Sequence, residues 1–232
     1  MISIKDGIIL SNHHFIAYNK PGGIAVQSVQ NKEDSLEVKL QQYCKVPLHL
    51  IHRIDQPCTG VVLFAKKKPM ASYLNELLQS HDIERTYLAI VQGKPEKEKG
   101  SLHHFLFAHK KSNKSYVVDE KHKEGKPAQL DYEWIRELPD QLHLLQIKLH
   151  TGRHHQIRAQ LGDIGCPIFG DIKYGAKSGQ EDRSICLHAW KLSFKHPIDH
   201  KTIAIEAPPP GHRCMATCFS KIIDLKPFQK HD

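Results

Sequence analysis

Apolar residues fall into short runs separated by turn signals along this chain, and the spacing inside each run predicts its element. HFIAYN at 14–19 reads as a strand that stops at the turn Lys20-Pro21-Gly22-Gly23. Over 34–44, Leu36, Leu40 and Tyr43 recur at helical spacing, and Asp34 with Glu37 fits an N-cap box. The unbroken run Val61-Val62-Leu63-Phe64-Ala65 reads as a buried strand. A helix follows, with Pro69 near its first position and Met70, Tyr73, Leu74, Leu77 and Leu78 on one stripe. TYLAIVQ at 86–92 is β-branched and aromatic, hence a strand. Strands also fit 129–136, 142–149, 185–194 and 202–207. A last helix fits 213–224, with Met215, Cys218, Phe219, Ile222 and Ile223 on one face, ahead of a frayed tail beyond Pro227.

Strands outnumber helices, and 129–136 lies close enough to 142–149 for an antiparallel hairpin. The expected class is therefore α+β, with a mixed, mostly antiparallel central sheet flanked by helices. Residues 94–126 are polar and basic, with nine Lys against five acids. They read as a solvated basic insert, or as an arm that touches phosphates. The run Lys66-Lys67-Lys68 could do the same.

With 232 residues, 40% of them apolar and 25% charged, the composition is that of a globular protein needing no disulfide or metal staple. Thirty-three Lys and Arg against 25 Asp and Glu give +8, which favours a polyanionic partner, nucleic acid ahead of an anionic membrane. The six cysteines are scattered without a C-x-x-C pair. Lys5 and Asp6 interrupt what would be the apolar core of a secretory signal, and no run approaches a membrane span. The expectation is a cytoplasmic protein with reduced thiols. Histidine doublets at 13–14, 103–104 and 154–155 put neighbouring rings on opposite sides of a regular element, so they predict no chelating face. Cys214 and Cys218, with His212 upstream, fit an apolar helix face better than a metal site.

Three segments place charge beside glycine and apolar strand. His52-Arg53-Ile54-Asp55-Gln56-Pro57-Cys58-Thr59-Gly60 leads into the buried run, Thr151-Gly152-Arg153-His154-His155-Gln156-Ile157-Arg158 enters a short helix, and Glu84-Arg85-Thr86-Tyr87 opens a strand. In the helix, Ile157 and Leu161 should face inward. Singly, each segment could be an ordinary surface ion pair, worth about 0–1 kcal/mol.

Together they carry more. HRIDQPCTGVVLFAK resembles the HRLD-x-x-T-S-G-[VL]-L motif of RluA-type pseudouridine synthases. Further markers follow in that family's order: NKPGGI at 19–24, ERTYLAIVQG at 84–93, GKPAQLDYEW at 125–134, TGRHHQIRAQL at 151–161, CPIFGDIKYG at 166–175 and LHAWKLSFKHP at 187–197. The chain departs from the pattern at Cys58-Thr59 (usually Thr-Ser), His154 (usually Thr) and Gln160 (usually His). The resemblance implies a single pseudouridine synthase catalytic domain over 1–232, with the basic insert and a short C-terminal helix and tail. Many relatives carry an N-terminal S4-like RNA-binding domain, and none is expected here because the pattern begins within about the first ten residues.

It also implies isomerisation of uridine in RNA by cutting the C1′–N1 bond and rejoining the ribose to C5 of the same base. Asp55 is then the catalytic aspartate, which adds to the nucleoside at C1′ or C6 and leaves again. A carboxylate suits such a reversible covalent step. Carboxyl groups ionise near pH 4, and burial against a base raises that value, so a cation should sit beside the nucleophile. Arg158 matches the family's salt-bridging arginine, and a two-pronged guanidinium would orient the carboxylate better than lysine. Tyr87 matches the active-site tyrosine, either stacking on the base or serving a proton step at C5. Arg53 matches the arginine that fills the space left by the flipped nucleotide. Flipping is required because C1′ and C6 of a stacked uridine are closed to a side chain. Leu187 resembles an apolar wall of the uracil pocket, and His52, Thr59, Arg153 and Gln156 complete the expected substrate-binding set.

No cofactor and no metal are implied. The expected partner is a stem-loop of tRNA or rRNA, with tRNA favoured, bound by a monomer through shape and a flipped base. The alternatives are a catalytically inactive RNA-binding or folding module of the same fold, or an unrelated hydrolase using Asp55. The second lacks a matching second carboxylate or triad spacing.

Overall fold

In the computed structural model, which describes residues 4–27, 34–180 and 182–210, the elements follow in chain order. They are β1 (Ile8–Ser11), β2 (Phe15–Lys20), α1 (Leu36–Cys44), β3 (His49–Leu50), β4 (Thr59–Ala65), α2 (Lys68–Gln79), β5 (Glu84–Gln92), β6 (Lys99–His109), β7 (Lys114–Val118), β8 (Lys126–Leu138), β9 (Leu142–Leu149), α3 (Gln156–Asp163), β10 (Leu187–Lys195) and β11 (Thr202–Glu206). The helix expected at 213–224, its tail, and the sulfur pair Cys214 and Cys218 lie outside the described residues.

One sheet runs through the molecule in the order β1-β2-β4-β10-β5-β9-β8-β6-β7, with β11 on β10 and β3 on β4. Among the described strands, β4 and β10 form the single parallel pair. The expected α+β class holds. So does the expected hairpin, since β8 pairs antiparallel with β9 from Leu130–Leu149 to Leu138–Leu142.

Period-two alternation splits the core. Ile16, Tyr18, Val62 and Phe64 join one apolar cluster with Leu36 and Leu40 of α1. Phe15, Ala17, Val61, Leu63 and Ala65 join a second with Met70 and Leu74 of α2. β4 is thus buried on both faces, as its unbroken apolar run requires, and each fully buried large side chain contributes about 1.5–3 kcal/mol. Gly60 fixes how the parallel joint closes. Its φ is +113°, and a Cβ there would collide with the Ala189 carbonyl of β10.

Two local expectations change. α1 is capped by Ser35, whose hydroxyl accepts the Val38 N–H at 3.4 Å, whereas Asp34 pairs with Lys39. Tyr43, in the last turn of α1, is 48% exposed, so the buried stripe ends at Leu40. The larger correction concerns 94–126. This stretch is not an irregular arm; β6 and β7 form a hairpin that β8 joins to the sheet. Leu106, packed with Ala128 of β8 and with Ala159 and Tyr174, buries one of its faces.

Candidate active site

The loop 51–58 leads into β4 at its joint with β10, and α3 begins across from it. Between them, with β5 and the start of β10 as floor, opens a cavity of about 630 Å³. Asp55, Tyr87, Arg158, Leu187, Arg53, His52, Arg153 and Gln156 all line it. Eight of the nine expected residues, drawn from positions 52 to 187, are therefore gathered in one place. Thr59 is not. Its side chain is buried and its hydroxyl lies 2.8 Å from His188 Nδ1, whose Nε2 faces the Ala207 carbonyl at 3.0 Å. That bond links β4 to β10 behind the cavity wall.

Arg158 is buried and its guanidinium serves two carboxylates. Nε and Nη2 donate to Asp171 at 2.6 and 2.8 Å, and Nη1 donates to Asp55 Oδ2 at 3.0 Å. The two-pronged grip expected on Asp55 therefore falls on Asp171, which is 2% exposed, and Asp55 receives the third donor. The hydrogen bonds and charges of Asp171 and Asp55 outweigh burial and hold the guanidinium above its usual range, so it stays charged. Asp171 was present in the quoted GDIKYG run but carried no sign, from spacing alone, that it would meet Arg158.

The carboxylate side of the loop is tied from behind. Cys58 N–H donates to the Asp55 carbonyl at 3.0 Å. Lys20 is fully buried at the end of β2, and its ammonium donates to the carbonyls of Pro21, Ile24 and Gln56 at 2.8–3.0 Å. Burial pushes this ammonium down to about 8, against the opposing pull of Cys58 and Asp55. It binds the glycine turn to the Asp55 loop, a function that the run NKPGG did not announce.

Tyr87, on β5, is buried, and burial pushes its phenol up to about 12 despite the nearby Arg85. Leu187 opens β10 beside it, paired with Ala89. His52 is buried, with both ring nitrogens unpartnered among the described residues, and burial followed by Arg85 pushes it down to about 3, so the ring is neutral. Arg85 in turn donates to the His150 carbonyl at 3.0 Å. Arg53 is exposed at the cavity mouth. Arg153 is exposed too and donates from Nε to the Pro127 carbonyl at 2.9 Å. Gln156 spends its amide on the protein: Oε1 accepts from Thr151 Oγ1 at 2.8 Å and Arg153 N at 3.0 Å, and Nε2 donates to Gln129 O at 3.1 Å. It shapes the turn that presents Arg153.

The adjacent histidines 154 and 155 do not point apart. His155 sits at φ 52°, ψ 27°, which breaks the regular alternation and lets the two rings stack at 3.8 Å and 21°. His154 faces the hairpin, with Nε2 3.1 Å from Asn113 Oδ1. Gln160, the third departure, is buried on the opposite side of α3 and donates to Leu102 O at 3.2 Å and Ala128 O at 3.3 Å, away from Asp55. Among the described residues no group of three His, Cys, Asp or Glu could hold a metal, and no helix is long and apolar enough to cross a membrane.

Comparison with known proteins identifies the family and the fold. The family model described as RNA pseudouridylate synthase matches residues 14–163. A ribosomal large subunit pseudouridine synthase C of Rickettsia bellii is 31% identical over 208 residues, covering 88% of this chain and 69% of the relative. The dual-specificity RNA pseudouridine synthase RluA of Pasteurella multocida is 28% identical over 210 residues, covering 87% and 92%. In the solved structures, human RNA pseudouridylate synthase domain containing 4 superposes with a TM-score of 0.75 at 23% identity, covering 94% of this chain and 93% of that one, which shows the shared fold. The chain belongs to the RluA-type RNA pseudouridine synthases, isomerases that convert uridine in RNA to pseudouridine.

Proposed function

We propose that this pseudouridine synthase acts as a single catalytic domain and a monomer on a flipped-out uridine of a tRNA or rRNA stem-loop, with Asp55 as the nucleophile. The observation that carries the reading is the placement of the Asp55 carboxylate on the wall of a cavity roomy enough for a nucleoside, one oxygen held by Arg158 at 3.0 Å. Asp55 adds to the nucleoside, the C1′–N1 bond breaks, the C1′–C5 bond forms as Asp55 leaves, and the proton lost from C5 is matched by one gained at the freed N1. Atoms and electrons balance without a cofactor, because the base lost from C1′ is the base regained. The shared Arg158 holds the carboxylate's orientation with a charge-assisted bond while the uracil excludes water. Tyr87, whose phenol stays protonated at neutral pH, supplies a ring and a hydrogen-bond donor, and Leu187 supplies the apolar wall.

Arg53, exposed at the mouth, takes the space the nucleotide leaves. Phosphates meet Arg153 and the β6–β7 hairpin. A second cavity of about 530 Å³, lined by Lys110, Lys126, Phe107 and His154, shares Gly152, Arg153 and His154 with the first. A strand leaving the catalytic cavity would enter it past a cationic rim.

Asp55→Asn tests the reading. Tritium release from [5-³H]uridine-labelled RNA should vanish while RNA affinity persists, because binding rests on many phosphate contacts. Undiminished release would overturn the nucleophile assignment. Position-resolved pseudouridine mapping in cells with and without the gene identifies the RNA. A lost site outside tRNA and rRNA would overturn the substrate class.

A further inference from the structure

We infer that His155 is a positioning residue for Asp55, presenting an Nε2–H whose location on the ring is dictated by Tyr174 and, through it, by the β6–β7 hairpin. The inference rests on the reading of Asp55 as nucleophile. Tyr174 closes a short turn after Asp171, and its hydroxyl is the junction. The oxygen accepts the backbone N–H of Ser115, in β7, at 2.8 Å. That donor has no acceptor capacity, so the phenolic proton points elsewhere, and its other partner is His155 Nδ1 at 2.9 Å. Burial pushes the phenol up to about 12, so the proton is present at neutral pH. Nδ1 therefore accepts, and the ring carries its hydrogen on Nε2.

Nε2 faces Asp55 Oδ2 at 3.7 Å, the oxygen that also receives Arg158. This is longer than a hydrogen bond, and such contacts in a free site tighten when substrate excludes water. With Oδ2 covered from two sides, Oδ1 is the oxygen left for the nucleoside. The ring stays uncharged. Burial comes first, then the cations facing it (Arg158, Lys173 and Arg53, with His154 stacked on it), and together they push it down to about 2. A neutral donor orients the carboxylate without competing for its charge.

The backbone supports the assignment. His155 holds a left-handed conformation ahead of α3 with no side-chain cap, and its ring lies edge-on to Tyr174. Such a conformation persists where its surroundings over-determine it, and it clusters at sites. The hairpin that should touch RNA thereby reaches the nucleophile in three contacts: Ser115, Tyr174, His155.

The test begins with ¹⁵N-histidine NMR of the full chain. His155 should show the Nε2–H tautomer and no titration between pH 5 and 8. An Nδ1–H tautomer, or titration near 6.5, overturns the inference without any turnover being measured. In single-turnover kinetics, Tyr174→Phe and His155→Asn, the latter tolerant of the left-handed backbone, should each lower the chemical rate about tenfold with RNA affinity unchanged. The double variant should match His155→Asn alone, because one path is broken twice. A parent-like rate in Tyr174→Phe, or additive losses, would refute the relay. Activity retained by Asp55→Asn would instead remove the nucleophile reading and leave the tautomer result standing.

Discussion

Replacing Arg158 by Lys separates charge from geometry at this site. The guanidinium makes three charge-assisted bonds, two to Asp171 at 2.6 and 2.8 Å and one to Asp55 at 3.0 Å. An ammonium keeps the unit charge but is a single nitrogen and cannot span both carboxylates. Asp171 is 2% exposed and Asp55 side-chain exposure is 24%, so the more buried anion captures the lysine and Asp55 loses its partner. The lysine keeps one bond to Asp171, so two of the three go, at about 1.5–3 kcal/mol each. The expected loss of stability is about 3–5 kcal/mol, the usual cost of breaking a buried pair. At the chemical step, the one bond withdrawn from Asp55 corresponds to a drop of about 10- to 100-fold. Urea unfolding with linear extrapolation measures the first quantity, and single-turnover pseudouridine formation below the unfolding range measures the second. A variant within threefold of the parent rate would show that the Asp55–Arg158 contact carries no catalytic weight, whatever its effect on folding.

Gly60→Ala should cost about 2–5 kcal/mol in urea unfolding, because the new Cβ meets the Ala189 carbonyl and the positive φ is strained; a loss under about 1 kcal/mol would place the β4–β10 joint differently. Acid should unfold the protein early. His52, His155 and His188 are held down to about 3, 2 and 4 by burial, so below pH 6.5 the unfolded chain binds protons that the folded chain refuses. Each ring then removes about 1.4 kcal/mol per pH unit, and a urea midpoint unchanged from pH 7 to 5 would contradict their neutral burial. RNA affinity should fall steeply with salt, and Lys110→Ala with Lys126→Ala should each reduce the log–log slope by about 1; unchanged slopes would take the hairpin off the phosphate path.

Much of this site was legible because its residues sit in runs of distinctive composition. The HRID run, the QIR run and Tyr87 could each be located, and their convergence followed from the family's ordered motifs rather than from any local spacing. What stayed hidden was pairing across long sequence gaps. Nothing in GDIKYG says that Asp171 takes the two-pronged side of Arg158, or that Tyr174 meets His155. The strand β6 stayed hidden because its inward face carries His104 as well as Leu102 and Leu106, while Phe105 and Phe107 fall on the outward face, which blurs the alternation. Asp34 lost the cap of α1 to Ser35 by one residue, a margin that composition does not resolve.

The parallel seam also sets an order on biosynthesis. β10 lies between β4 and β5, yet its residues, 187–195, emerge from the ribosome long after both neighbours. Until then a nascent chain carries one open edge on β5 and an unpaired Thr59–Gly60 end on β4, the rest of that β4 edge being taken by β3. A message truncated before that point yields a polypeptide whose halves cannot be zipped together, and chaperone demand should be greatest over this stretch of elongation.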